Sequence, residues 1–171
     1  IRDRGYDARR VYSANTSTPE YFKDGTHLPD ALSPSNYNWS KSPNDVANAI
    51  NNGGFYVFHR DHGDYDGWIK PEFRNSHLGM LTNTDRLPVV FSINCLTGKF
   101  DNTECFAERL IKMNNRGASG VLAATNVTYT IANNVLGPGI FNSIFGGEGP
   151  LHFMSRLPAP LNANKSVENT E

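Results

Sequence analysis

The chain has 171 residues, 16 Lys and Arg against 17 Asp and Glu, and a formal net charge of -1, so it is long enough for one domain with a substantial core. That balance supplies no field for nucleic acid or for an anionic membrane surface, and no apolar run approaches the roughly 20 residues that span a bilayer. Two cysteines, Cys95 and Cys105, are too few for a disulfide framework, although they could pair with each other. Neither CxxC nor HExxH occurs, and His27, His59, His62, His77 and His152 show no metal-ligand spacing. The chain opens on Ile1 without a signal-peptide pattern, which suggests a fragment of a longer precursor.

Residues 1–41 read as an irregular lead-in belonging to the same domain. A short strand is expected over Tyr6–Tyr12, followed by a stretch rich in Ser, Thr, Asn and Pro with turn signals at Asp24-Gly25, Leu28-Pro29 and Ser33-Pro34. A helix then opens with Ser42 as N-cap, Pro43 at the first helical position and Asp45 at N3; Val46, Ala49 and Ile50 form its apolar face, and Asn52-Gly53-Gly54 stops it.

Two apolar runs without helical period come next, Phe55 to Phe58 and Leu87 to Ile93. Strands of a parallel sheet, buried on both faces, have this texture. Between them lie a turn-rich loop, Asp64 to Trp68, and an expected helix from about Pro71 to Asn83 with Phe73, Leu78 and Leu81 inward. This is a strand–helix–strand crossover, which makes the two strands parallel. Beyond them the pattern predicts a helix over Thr103–Asn115 with Phe106, Leu110, Ile111 and Met113 in the core, and a third parallel strand over Gly120–Asn126. A last helix over Ile131–Phe145 is expected to break at Gly137-Pro138-Gly139. The main unit is taken as 42–156, and 157–171 as linker or disordered tail.

Each of the first two runs ends in a reactive side chain: His62-Gly63 after one, Cys95 after the other. Chemistry in open α/β sheets gathers at the carboxyl ends of strands. A thiol attacks carbonyl carbon as thiolate, and a facing imidazole can take its proton and later deliver it to a leaving amine. The backbone N–H groups of Gly63 and Cys95 are candidates for an oxyanion hole, with Asp61 or Asp64 as a possible orienter of the imidazole. Taken singly, a Cys at the end of an apolar run is a small buried hydrophobe as readily as a nucleophile. His59 reads as a hydrogen-bonded core histidine, Cys105 as core, and His27, His77 and His152 as surface residues. Asp61, Asp64 and Asp66 could hold a structural calcium ion or form a solvated acidic loop.

The runs Leu81 to Phe91, Cys95-Leu96-Thr97-Gly98-Lys99-Phe100 and Cys105-Phe106-Ala107-Glu108, with His62-Gly63, Trp68 and the helix over Pro43–Gly54, resemble the catalytic domain of the gingipain family of cysteine peptidases, from about Ser42 to Asn126. The resemblance implies an α/β caspase-like three-layer sandwich with a mostly parallel sheet flanked by helices. It implies His62 as general base and acid, Cys95 as nucleophile, and Gly63 with Cys95 as oxyanion hole. Tyr129 would wall the pocket for the residue before the scissile bond, where the family has tryptophan; Arg60, Asp61 and Asn126 would also touch substrate. Arg60-Asp61 replaces the family's Thr-Gly, and a counterpart to its acidic pocket residue or to its closing strand after Phe145 is not found. By the same resemblance the protein needs no cofactor, acts on a protein or peptide, is joined to other domains of its precursor, and is exported to the surface of a bacterium or beyond. Acyl transfer to an amine on the same site, and a non-catalytic binding domain of the same fold, are the alternatives.

Overall fold

The computed structural model describes residues 5–16, 18–22, 24–101 and 103–145. The tail 157–171, His152 and any closing strand after Phe145 lie outside the described residues. Three parallel strands form the central sheet: β1 (Tyr56–Arg60), β5 (Val89–Ile93) and β6 (Gly120–Ala123), in the spatial order β1-β5-β6. Side chains of β5 alternate between two cores, as the pleat requires. Val90 faces a cluster made with Val46, Ala47 and Ile50 of α1 (Pro43–Asn51) and Phe106 and Leu110 of α2 (Phe106–Lys112). Phe91 and Ile93 face Leu136 and Ile140 of α3 (Thr130–Phe145). The arrangement is the expected α/β one, a parallel sheet between helical layers.

Helix α1 starts where its residues predict. Ser42 is its N-cap, and the Asp45 carboxylate accepts from the Ser42 backbone N–H at 2.9 Å and from its hydroxyl at 2.8 Å, which holds that carboxyl below its ordinary range. Gly53, at φ +82°, turns the chain into β1.

The connection from β1 to β5 is built differently from the expectation. Residues 64–68 are not an open loop: β2 (Gly63–Asp64), β3 (Gly67–Trp68) and β4 (Phe73–Arg74) form a small antiparallel meander. The helix expected over Pro71–Asn83 is instead β4 followed by a 3-10 helix over Asn75–Met80. Pairing of Phe73 with Trp68 takes the first residues into strand. The chain beyond is tied to α1 by Asn51, whose amide donates to Met80 O at 3.0 Å and accepts from Thr82 N at 2.7 Å. Phe73, Leu78 and Leu81 are buried all the same. Burial was set by the residues; the period was set by tertiary pairing.

Other boundaries shift. Among the described residues no strand forms over Tyr6–Tyr12; Tyr12 N donates instead to the Tyr37 hydroxyl, and Ser13 makes an isolated bridge with Ser40. Helix α2 is shorter than expected and leaves Ile111 half exposed, because the chain turns extended at Met113 and left-handed at Asn115 and Gly117. The third strand ends at Ala123. Helix α3 runs unbroken through Pro138. Proline removes one backbone bond there, while Leu136 and Ile140 bury against the sheet and Gly137 lies against the Phe58 ring.

Candidate active site at the ends of two parallel strands

The register of β1 on β5 pairs Arg60 with Ile93 as its last rung. His62 is two residues beyond Arg60 and Cys95 two beyond Ile93, so both positions follow the same carboxyl rim of the sheet. Gly63 closes the gap between the two chains. A Cβ on Gly63 would lie 2.8 Å from Cys95 O and 2.6 Å from Asn94 Cγ, closer than real side chains approach, so only glycine seats here. His62 is exposed, while Gly63 and Cys95 are half-buried.

The meander orients the Gly63 amide. Ile69 N donates to His62 O at 3.1 Å, which makes Gly63 and Trp68 a non-hydrogen-bonded pair of the antiparallel ladder. In such a pair the N–H and C=O of the opposed residues face away from the partner strand. The Gly63 N–H is therefore not spent on β3. Cys95 lies past the last rung of β5 with both neighbours, so its N–H is outside the ladder.

After Cys95 the chain reverses sharply: Leu96 is left-handed at φ +61°, Thr97 N donates to Cys95 O at 2.8 Å and Lys99 N to Leu96 O at 2.9 Å. A bulky residue in the left-handed region is strained, so this turn is held there by the packing and hydrogen bonds around it. The sulfur sits against Thr128, whose N–H approaches Sγ at 3.4 Å and whose hydroxyl lies at 3.7 Å. Asn133, buried at the start of α3, donates to that hydroxyl at 2.7 Å. Both cysteines are free thiols; Cys105, buried at the N-cap of α2, has its pKa raised by burial.

Beneath the rim lies a buried polar cluster of which the sequence signalled only one member. His59 is buried, with Nε2 3.0 Å from Lys70 O and Nδ1 2.7 Å from Asn94 Nδ2. Burial, with Arg60 adding to it, pushes the imidazole down to about 4, so it is neutral at pH 7. Ser92, Asn94 and Thr97 bond to one another, and the Trp68 indole N–H donates to Ser92 Oγ at 2.8 Å. Asn94 and Ser92 looked like ordinary strand positions; only the alternation Ser92, Asn94 on a run otherwise apolar hinted at them.

The remaining candidates occupy the flank of α3. Arg60 Nη2 donates to Asn134 Oδ1 at 2.9 Å and approaches Thr130 O at 3.4 Å. Tyr129 is partly exposed on the turn before α3, and Asn126 accepts from Leu96 N at 3.2 Å. Asp61 is half-buried. Of the acidic loop, Asp66 is taken by Arg74 and Asp64 by the Tyr65 N–H at 2.8 Å; among the described residues no group of three or more His, Cys, Asp or Glu is arranged to hold a metal. His27 is exposed as expected, whereas His77 is half-buried, its Nδ1 accepting from Arg74 N at 3.0 Å.

Comparison with known proteins gives a consistent answer. The chain is 29% identical over 118 residues to gingipain R2 of Porphyromonas gingivalis, an alignment covering 67% of this chain and 16% of that protein. Gingipain R1 of the same organism matches at 29% identity, with 67% of this chain and 12% of that protein covered. Among solved structures, a complex of the pro- and mature domains of RgpB from Porphyromonas gingivalis superposes with a TM-score of 0.63 at 24% identity, covering 71% of this chain and 31% of that one. The Arg-specific cysteine proteinase gingipain R gives 0.58 at 24% identity, covering 65% and 29%. The fold is shared, and this chain spans well under a third of the length of the relatives it matches. The family model of peptidase family C25 matches residues 2–164, and the chain belongs to that family.

Proposed function

We propose that this chain carries the reactive centre of a cysteine endopeptidase, with Cys95 as nucleophile, His62 as general base and acid, and the N–H groups of Gly63 and Cys95 as oxyanion hole. The observation that carries the reading is the seating of Gly63 against Cys95 O at the rim where β1 and β5 end side by side. His62 takes the thiol proton, the thiolate adds to the scissile carbonyl, and the two N–H groups stabilise the oxyanion. Collapse expels the amine, protonated by His62, and leaves an acyl-thioester. Water activated by the same imidazole then releases the acid and restores the thiol. This chemistry balances without a metal or cofactor.

Arg60, Asp61, Asn126 and Tyr129 are proposed as the substrate-contacting wall. Arginine specificity belongs to the relative whose name states it; here the Arg60 cation disfavours a basic side chain in that wall. The substrate is a protein or peptide, further domains of a longer precursor complete the enzyme, and its place is the surface or surroundings of a bacterium, as for the family it resembles.

The test is active-site labelling of the full-length protein with peptidyl acyloxymethyl ketones carrying different residues before the electrophile. Labelling at Cys95 that is lost in His62→Ala is expected. Labelling elsewhere, or labelling indifferent to His62, would overturn the assignment.

A further inference from the structure

The buried cluster under the rim fixes which way the Asn94 amide faces. Lys70 O can only accept, so His59 Nε2 carries the hydrogen and Nδ1 accepts from Asn94 Nδ2. The second Asn94 amide hydrogen goes to Ser92 Oγ at 3.0 Å, which also accepts from the Trp68 indole at 2.8 Å. Ser92 then donates to Thr97 Oγ1 at 2.9 Å or to Asn94 Oδ1 at 3.2 Å, and Thr97 donates to Asn94 Oδ1 at 2.7 Å. Every donor of the cluster has an acceptor. The Asn94 amide can neither flip nor tilt without stranding a buried group.

That immobilised amide is what Gly63 rests on. The position of a Gly63 Cβ falls 2.6 Å from Asn94 Cγ and 2.7 Å from its Oδ1, so the glycine packs directly against that amide. Gly63 is also paired with Trp68 across the meander, and Trp68 is bonded to Ser92. The chain of contacts Gly63–Trp68–Ser92–Asn94–Gly63 closes on itself. We infer that Asn94, locked by His59, Ser92 and Thr97, is a positioning residue for the oxyanion hole: its amide face sets where the Gly63 N–H stands relative to Cys95. This rests on the peptidase reading above. A donor displaced by even a fraction of an ångström stabilises the oxyanion less, while the attacking sulfur and its base are untouched.

The experiment compares two reactions of Cys95 in the full-length protein. Peptide hydrolysis passes through an oxyanion; alkylation by iodoacetamide does not. Asn94→Ala is expected to lower kcat at least about tenfold, with KM and the alkylation rate within about threefold of the parent, since losing one donor outright costs about 10²–10³ in kcat. Thr97→Val, which removes the donor to Asn94 Oδ1 and the partner of the Ser92 hydroxyl but leaves Asn94 in place, should show the same split at smaller amplitude and decides the matter if Asn94→Ala does not fold. Unchanged kcat in a folded variant, or alkylation falling in step with kcat, would overturn the inference. Hydrolysis that survives Cys95→Ala, or a parent without Cys95-dependent hydrolysis, would instead remove the peptidase reading and this inference with it.

Discussion

The imidazole of His59 lies flat on the indole of Trp68, ring centroids 4.5 Å apart and planes 3° from parallel. Stacking closes one face of His59 and burial closes the rest, so the neutral ring is the form the fold accepts. Its folded pKa of about 4 lies below the ordinary 6.5. Between those values the unfolded chain binds the proton and the folded one does not. Stability is therefore complete above about pH 6.5, falls as the pH drops toward 4, and loses no more from this group below that. The loss is about 3 kcal/mol for a shift of this size. Urea unfolding at pH 7.5, 5.5 and 4 should show it, and His59→Gln should flatten that slope. Asp45 and Glu108, whose carboxyls are lowered chiefly by backbone N–H groups of Ser42 and Cys105, act at lower pH and remain in the variant.

Gly63→Ala places a methyl group against Cys95 O and the Asn94 amide. Gly63 does not sit in the left-handed region, so the penalty is contact, not backbone strain. A loss of about 1–3 kcal/mol in thermal unfolding is expected from overpacking. Hydrolysis should fall by more than the stability change explains, because the methyl group pushes the proposed oxyanion donor off its seat. Wild-type turnover in Gly63→Ala would contradict the close approach.

Asn133→Ala should slow the thiol. Its amide holds the Thr128 hydroxyl at 2.7 Å, and Thr128 presents its N–H to Cys95 Sγ. Thr128 O also lies 3.5 Å from Sγ, so one turn touches the sulfur through both its N–H and its carbonyl. Freed of Asn133, the turn drifts and the sulfur loses that fixed seat. The measurement is the rate of iodoacetamide reaction at Cys95 at one fixed pH, which is expected to fall about twofold or more; an unchanged rate would show that the tie does not reach the sulfur.

Asn83→Ala should be among the most costly changes away from the rim. The side chain is fully buried, donating to Arg86 O at 3.0 Å and Gly117 O at 2.9 Å and accepting from Gly117 N at 3.0 Å. It ties the chain before β5 to the turn before β6. Its removal strands three backbone groups, and about 3 kcal/mol of stability should go with it. Chemical denaturation with an unchanged slope is the check.

How far the sequence could be read follows from where each signal resides. The parallel strands were legible because burial on both faces leaves continuous apolar runs at Tyr56–Phe58 and Leu87–Ile93, and α1 because Ser42, Pro43 and Asp45 carry its start locally. The stretch from Asp64 to Met80 was misjudged because its strand pairing, Gly63 with Trp68 and Trp68 with Phe73, is tertiary and two residues long at each rung pair. No period can show in so short a ladder. Pro138 read as a break because the rule is local, whereas the packing of Leu136 and Ile140 is not. At the site, His62, Gly63 and Cys95 stood out by residue type. Asn94, Ser92 and Thr97 did not, since neutral polar residues declare themselves only once their partners are known.

The chain has two sulfhydryl groups, and they differ as a window differs from a wall. Cys105 is 1% exposed, enclosed at the head of α2 with its ionisation suppressed by burial, whereas Cys95 is half open beside a turn. Slow modification of the second thiol would therefore count global opening events, while fast modification of the first reads the reactive rim. One reagent, followed by mass, separates the two clocks in a single sample.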